Sequence, residues 1–175
     1  MKKNVSLGSI IAVICMIFLV TVQPIHAADA PANMAAGLII QLSAFEKNTS
    51  GKEGDVSIHL IGASNELTDE MKRAIGTTIA KRKLATITSS KSLPESPVDI
   101  LVISNEGMLE KALEYCRTNK IMSATDKPEF VEKGVTLGIG MNETGGQTIT
   151  LNLSASSLEG LDWKPAILKI AKTIK

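Results

Sequence analysis

Beyond residue 27 the sequence holds a single imidazole, His59, set in the apolar run Val56-Ser57-Ile58-His59-Leu60-Ile61. Hydrolysis needs a nucleophile, a base and a group that orients the base. A histidine in a β-branched run reads as a hydrogen-bonded core or rim residue, with a general base as the alternative. Asp126 and Glu129 are close in sequence, but a helix start capped by Asp126, with Pro128 in its first turn, explains them without acid–base chemistry. No His-Glu-x-x-His, cysteine pair or histidine cluster sets metal ligands at a usable spacing, so no catalytic residue, metal or cofactor is expected. Gly134, Gly138 and Gly140 lie within or beside a strand and Gly145-Gly146 form a turn, so neither set matches a phosphate loop. Cys116 offers a redox thiol or an intermolecular link, but its place on the apolar side of a helix over 106–118 reads as a buried, inert thiol. Trp163 reads as core packing.

One thread of residues is suggestive. Thr136, Gly138 and Gly140, then Thr148, Thr150 and Asn152, are small or polar at alternate positions of two apolar runs. Small residues on a sheet face let another backbone or a ligand approach closely. Thr136, Gly138, Gly140, Thr150 and Asn152 are therefore the candidate partner- or ligand-binding residues, with a plain solvated face as the alternative.

The elements that would position them follow from periodicity. Met34, Leu38, Gln41/Leu42 and Phe45 recur at helical spacing and predict an amphipathic helix over 32–47. Residues 56–62 predict a buried strand ending at a glycine. Leu67, Met71, Ala74/Ala80, Ile75 and Ile79 mark the next helix, and 83–88 a short strand. Asp99 to Ile103 is apolar after its first residue, as expected of a strand covered on both faces. The 106–118 helix, with Asn105 as its N-cap, and a strand over 121–124 follow. Val135, Leu137, Ile139 and Met141, then Ile149, Leu151 and Leu153, predict an antiparallel hairpin with one buried face, joined by a glycine-rich turn. Ser156 with Glu159 has capping-box spacing, and Pro165 opens a C-terminal helix with Ile167, Leu168 and Ala171 inward. The reading is a single compact α/β domain. Its mixed sheet has parallel βαβ units and a C-terminal antiparallel hairpin, with helices packed on the sheet.

The N-terminus predicts export. Lys2 and Lys3 precede an apolar stretch of about 13 residues from Ile10 to Val22, then Pro24 and a small residue, Ala27. That stretch is short of the roughly 20 residues a spanning helix needs, so 1–27 reads as a cleaved signal peptide and 28–175 as the domain, with an uncleaved anchor as the alternative. Beyond residue 27 there are 17 basic against 18 acidic residues, which lacks the basic excess of a nucleic-acid surface.

The C-terminal third resembles the YfiR family. The resemblance lies in Gly134-Val-Thr-Leu-Gly-Ile-Gly, in Thr150-Leu-Asn-Leu-Ser-Ala-Ser156, in Leu158-Glu-Gly-Leu161 and in Ile167-Leu-Lys-Ile-Ala171, in that order. The N-terminal helix, the strand ending Leu60-Ile61-Gly62 and the strand from Asp99 to Ile103 fit more loosely. This resemblance implies a periplasmic regulator and not an enzyme. Its partner would be an inner-membrane signalling protein, a diguanylate cyclase or receptor, restrained by protein–protein contact. An outer-membrane lipoprotein would relieve that restraint, and the domain would often be a homodimer. A periplasmic small-ligand-binding sensor is the alternative function. Two departures stand out. The family's cysteine pairs are absent, because Cys116 is alone beyond residue 27, and Phe45-Glu46-Lys47 stands where the family has an aromatic–proline pattern.

Overall fold

The computed structural model describes residues 28–175, so the expected signal peptide lies outside the described residues. In chain order the strands are β1 (Ala28–Asp29), β2 (Val56–Ile61), β3 (Thr78–Ile79), β4 (Arg82–Ser90), β5 (Ile100–Ile103), β6 (Met122–Thr125), β7 (Leu137–Met141), β8 (Gln147–Asn152) and β9 (Lys172–Ile174). The helices are α1 (Ala32–Ser43), α2 (Asn65–Arg73), α3 (Leu109–Asn119), α4 (Glu129–Glu132) and α5 (Leu153–Leu158).

One mixed sheet runs β3-β4-β2-β5-β6-β7-β8-β9. The pairs β4/β2, β2/β5, β5/β6, β6/β7 and β8/β9 are parallel, whereas β3/β4 and the β7/β8 hairpin are antiparallel. β6 pairs with β7 only through Gly138, and β1 takes over at Gly140 and Met141.

Alternation along the strands fixes the layers. Ile100 and Val102 of β5 join Ile58, Leu60, Leu137 and Ile139 in a core closed by α1 and α2. Leu101 and Ile103 face the other way, against Leu109, Ala112, Leu113 and Cys116 of α3. Each of these large aliphatics contributes roughly 1.5–3 kcal/mol by leaving water. A strand that is apolar at every position is what two helical layers require. At the lower end of the sheet, buried Arg82 donates to Asp99 at 2.7 Å and to the carbonyls of Gly54 and Asp55, tying β4 to the start of β5.

The structure departs from the expected elements in four places. α1 ends at Ser43, because Glu46 is drawn into a bridge with Trp163. There the buried Glu46 carboxylate accepts the backbone N–H groups of Asn48 and Asp162, at 2.9 and 3.1 Å. This is the Phe45-Glu46-Lys47 step that sets the chain apart from the family pattern. Second, Ile79 belongs to β3 and not to the helix before it, since α2 stops at Arg73. Third, Asp126 does not cap a helix; it accepts the Ser104 hydroxyl at 2.5 Å, and Pro128 stands at the N-cap of α4.

The fourth lies at the C-terminus. Asn152, not Ser156, caps α5, its side chain accepting the Ala155 N–H at 2.9 Å. Ser156 sits inside that helix and Glu159 at its end. The expected C-terminal helix is a short 3-10 turn over Ile167–Lys169 followed by β9, and Leu168 faces solvent. The β-branched Thr173 and Ile174 complete the open edge of β8, which a helix would leave without hydrogen-bond partners.

Candidate functional site

The hairpin was expected to bury one face and leave Thr136, Gly138, Gly140, Thr148, Thr150 and Asn152 on the other. In the structure both faces of β7 are covered. Thr136, Gly138 and Gly140 are buried, and Asn152 is only 7% exposed. What approaches them closely is this chain's own α4 and its lead-in. A Cβ built on Gly138 would stand 2.2 Å from Val131 Cγ2. One on Gly140 would stand 2.2 Å from Pro128 Cγ and 3.1 Å from the Ala28 carbonyl oxygen. Glycine is required at both positions by space. Asn152 fastens the roof, its Nδ2 donating to the Val131 carbonyl at 2.9 Å while its oxygen caps α5. Thr150 is half-buried between Gly138 and Lys172 in the ladder.

Thr136 leads to a buried carboxylate. Its hydroxyl donates at 2.7 Å to Glu159 Oε2, which also accepts the Ser123 N–H at 3.0 Å. The Ser123 hydroxyl donates to the other carboxylate oxygen and accepts from the Thr136 N–H at 2.9 Å. Glu159 is fully buried, and burial pushes its carboxyl above the ordinary range. Hydrogen bonds from Ser123 and Thr136 and the charge of Arg117 pull it partly back. The cluster joins β6, β7 and the end of α5. It offers no opening for a substrate, so its chemistry is structural. The Ser156–Glu159 spacing marked the residue but assigned it to a helix start. Next to it, Cys116 is buried, and burial pushes its thiol far up, away from the reactive thiolate.

The opposite flank of the same sheet face is open. Ser57 and His59 of β2 pair with Thr86 and Thr88 of β4 and share their face. Among the described residues no helix lies over them. The segment 91–98, held by Pro94 and Pro97, overhangs them and leaves a cleft of about 480 Å³ lined by Ser57, His59, Thr86, Thr88, Ser90 and Ser92. His59 Nε2 is 3.1 Å from the Ser92 carbonyl, which only accepts, so this nitrogen carries the hydrogen. Nδ1 then accepts from the Thr88 hydroxyl at 2.7 Å. Burial lowers the His59 pKa below 6.5 and keeps the ring neutral. With both nitrogens engaged, His59 holds the overhang in place.

Open α/β sheets form ligand crevices where the strand order reverses, here between the ends of β2 and β5. That point is filled. Gly62, at φ +67, lies so close to Asn105 that an added Cβ would be 2.5 Å from its Cβ. The Asn105 carboxamide in turn accepts the Gly107 N–H at 2.8 Å.

These features define an α/β domain whose polar groups hold structure. The chain belongs to the YfiR/HmsC-like family, whose model matches residues 33–172. Membership supports a periplasmic regulatory role in general terms, in a family that is in general not catalytic. No curated protein sequence matches the chain. Among solved structures it is similar to a conserved domain protein from Vibrio cholerae O1 biovar El Tor. The TM-score is 0.56 at 15% identity, over 83% of this chain and 60% of that one. It is also similar to an ABC domain in complex with L-Trp from Streptococcus pneumonia, with a TM-score of 0.52 at 13% identity, over 82% of this chain and 62% of that one. The chain thus spans about 60% of the length of both structures, and the likeness is one of fold. Among the described residues no helix is long and apolar enough to cross a membrane.

Proposed function

We propose that this protein is a periplasmic signalling regulator that acts by contact with another protein and turns nothing over. Its target in this reading is a membrane-bound diguanylate cyclase or a similar receptor, which it restrains; an outer-membrane lipoprotein lifts the restraint, and the regulator itself pairs as a homodimer. The observation that carries the reading is the family match over residues 33–172. The groups with chemistry to offer support it: His59 spends both nitrogens on the 88–92 segment, and Cys116 and Glu159 are sealed in the core. In this reading a partner reaches the exposed turn 142–145, which the expected contact residues did not include; of those, Thr150 is the least buried. Thr136, Gly138, Gly140 and Asn152 are covered by this chain's own residues.

The test adds the purified protein to membranes bearing the candidate cyclase or receptor and follows binding and cyclic-di-GMP production. The reading expects saturable binding with a fall in production. Absence of both binding and any change in activity would sink it. A second reading, a small-ligand-binding sensor, is favoured by the cleft beneath 91–98. It expects a compound-dependent rise in melting temperature that is lost in Thr86→Tyr, which fills the cleft. A flat thermal-shift screen would count against it.

A further inference from the structure

Charge is unevenly spread along the chain. All 18 acids lie at or before Asp162, and the ionisable side chains of 163–175 are Lys164, Lys169, Lys172 and Lys175. Lys52, Lys127 and Lys133 elsewhere are in salt bridges, whereas none of these four is in one among the described residues. The same stretch carries exposed apolar side chains. Leu168 and Ile170 are 44% and 56% exposed, and Leu158 is 52% exposed at the end of α5, which lies against β9. With Ile75 these are the only exposed large hydrophobics among the described residues. Lys120 adds a cation beside them, its ammonium on the Leu158 carbonyl at 2.9 Å.

The composition of this surface distinguishes between kinds of partner. Protein interfaces are enriched in aromatics and arginine and depleted of lysine. Past Asp162, whose carboxylate is paired with Lys47, the exposed side chains are aliphatic and lysine apart from Thr173, and the one aromatic of the stretch, Trp163, is buried. A bilayer with anionic headgroups suits both kinds of group. Leucine and isoleucine enter the headgroup–acyl boundary, while lysine stems lie along apolar surface with their ammonium groups at the phosphates. We propose that the 158–175 surface docks the domain on an anionic lipid bilayer. This goes beyond the regulator reading and does not rest on it.

All the strands and both cores among the described residues lie within 28–175, the segment expected to remain after signal cleavage, and this is the segment to test. Its partition is measured onto vesicles of phosphatidylcholine alone and onto vesicles with about one-third phosphatidylglycerol, at low salt. At about fivefold per lysine, phosphatidylglycerol raises partition by more than tenfold, and Lys169→Glu with Lys172→Glu removes that gain. Leu168→Ser with Ile170→Ser weakens binding about fivefold or more while leaving the melting temperature unchanged, since both side chains already face water. Lys91→Glu, on the opposite flank, leaves binding as it was. Equal partition onto the two vesicle types overturns the proposal and leaves an acidic protein as the partner of this surface. Undiminished binding by the lysine or the aliphatic variants overturns it as well.

Discussion

The two flanks of one sheet face share a composition and end in opposite states. On one side Ser57, His59, Thr86 and Thr88 alternate with apolar residues; on the other Thr136, Gly138, Gly140, Thr148, Thr150 and Asn152 do the same. The first flank stays open under the 91–98 overhang, and the second is roofed by Pro128 and Val131. The difference lies in the connection that follows each strand. After β6 the chain crosses to β7 through a short helix laid on the sheet, and two glycines make room for it. After β4 the chain reaches β5 without a helix, so the hydroxyls it passes remain wet. A thread of small polar residues therefore marks close approach or solvent, and the neighbouring connection decides which.

Substitutions that fill the roofed flank should do the most harm. Gly140→Ala meets the rigid Pro128 ring and the Ala28 backbone and is expected to cost about 3 kcal/mol in urea unfolding. Gly138→Ala meets the Val131 side chain and is expected to cost about 2 kcal/mol, part of which Val131→Ala restores. If either glycine variant is as stable as the parent, the flank is not close-packed as described. Asn152→Ala removes the α5 cap and strands the Val131 carbonyl, for a loss of about 1–2 kcal/mol.

Glu159 gives that flank a pH signature. Its carboxyl is raised in the folded state, so it favours folding fully below the ordinary value of 4.5 and loses that contribution as pH climbs through its native value. The stability of the parent relative to Glu159→Gln should therefore decline with rising pH above 4.5 and then level off, by up to about 1.4 kcal/mol per pH unit within that window. A difference that stays constant with pH would mean that the carboxyl is not desolvated. On the open flank the effects are smaller. The His59 ring should titrate below 6.5 by NMR, its contribution lost only as pH falls below that value. Thr86→Val, exposed in the cleft, should change stability by less than about 0.5 kcal/mol.

Much of the fold was legible because its strands are unambiguous. Ile100 to Ile103 announces a doubly covered strand, and the alternation through Leu137 and Ile149 announces the hairpin. The C-terminal segment misled because Ile167, Leu168 and Ala171 fit a helical period, while the need of β8 for an edge partner is visible only once the sheet is assembled. Glu159 was legible as a residue but not as a buried one, since its hydrogen-bond donors, Ser123 and Thr136, lie 36 and 23 positions away. What approaches Gly138 and Gly140 closely in this structure is the chain itself, through Val131, Pro128 and Ala28, a contact across the fold that the local pattern of small residues does not specify.

In-cell crosslinking of the tagged protein, followed by mass spectrometry of what it captures, bears most directly on the regulatory role. The account predicts an inner-membrane signalling protein linked through its periplasmic part, with capture reduced by substitutions in the 142–145 turn. Efficient crosslinking that yields no such membrane protein would contradict regulation by contact.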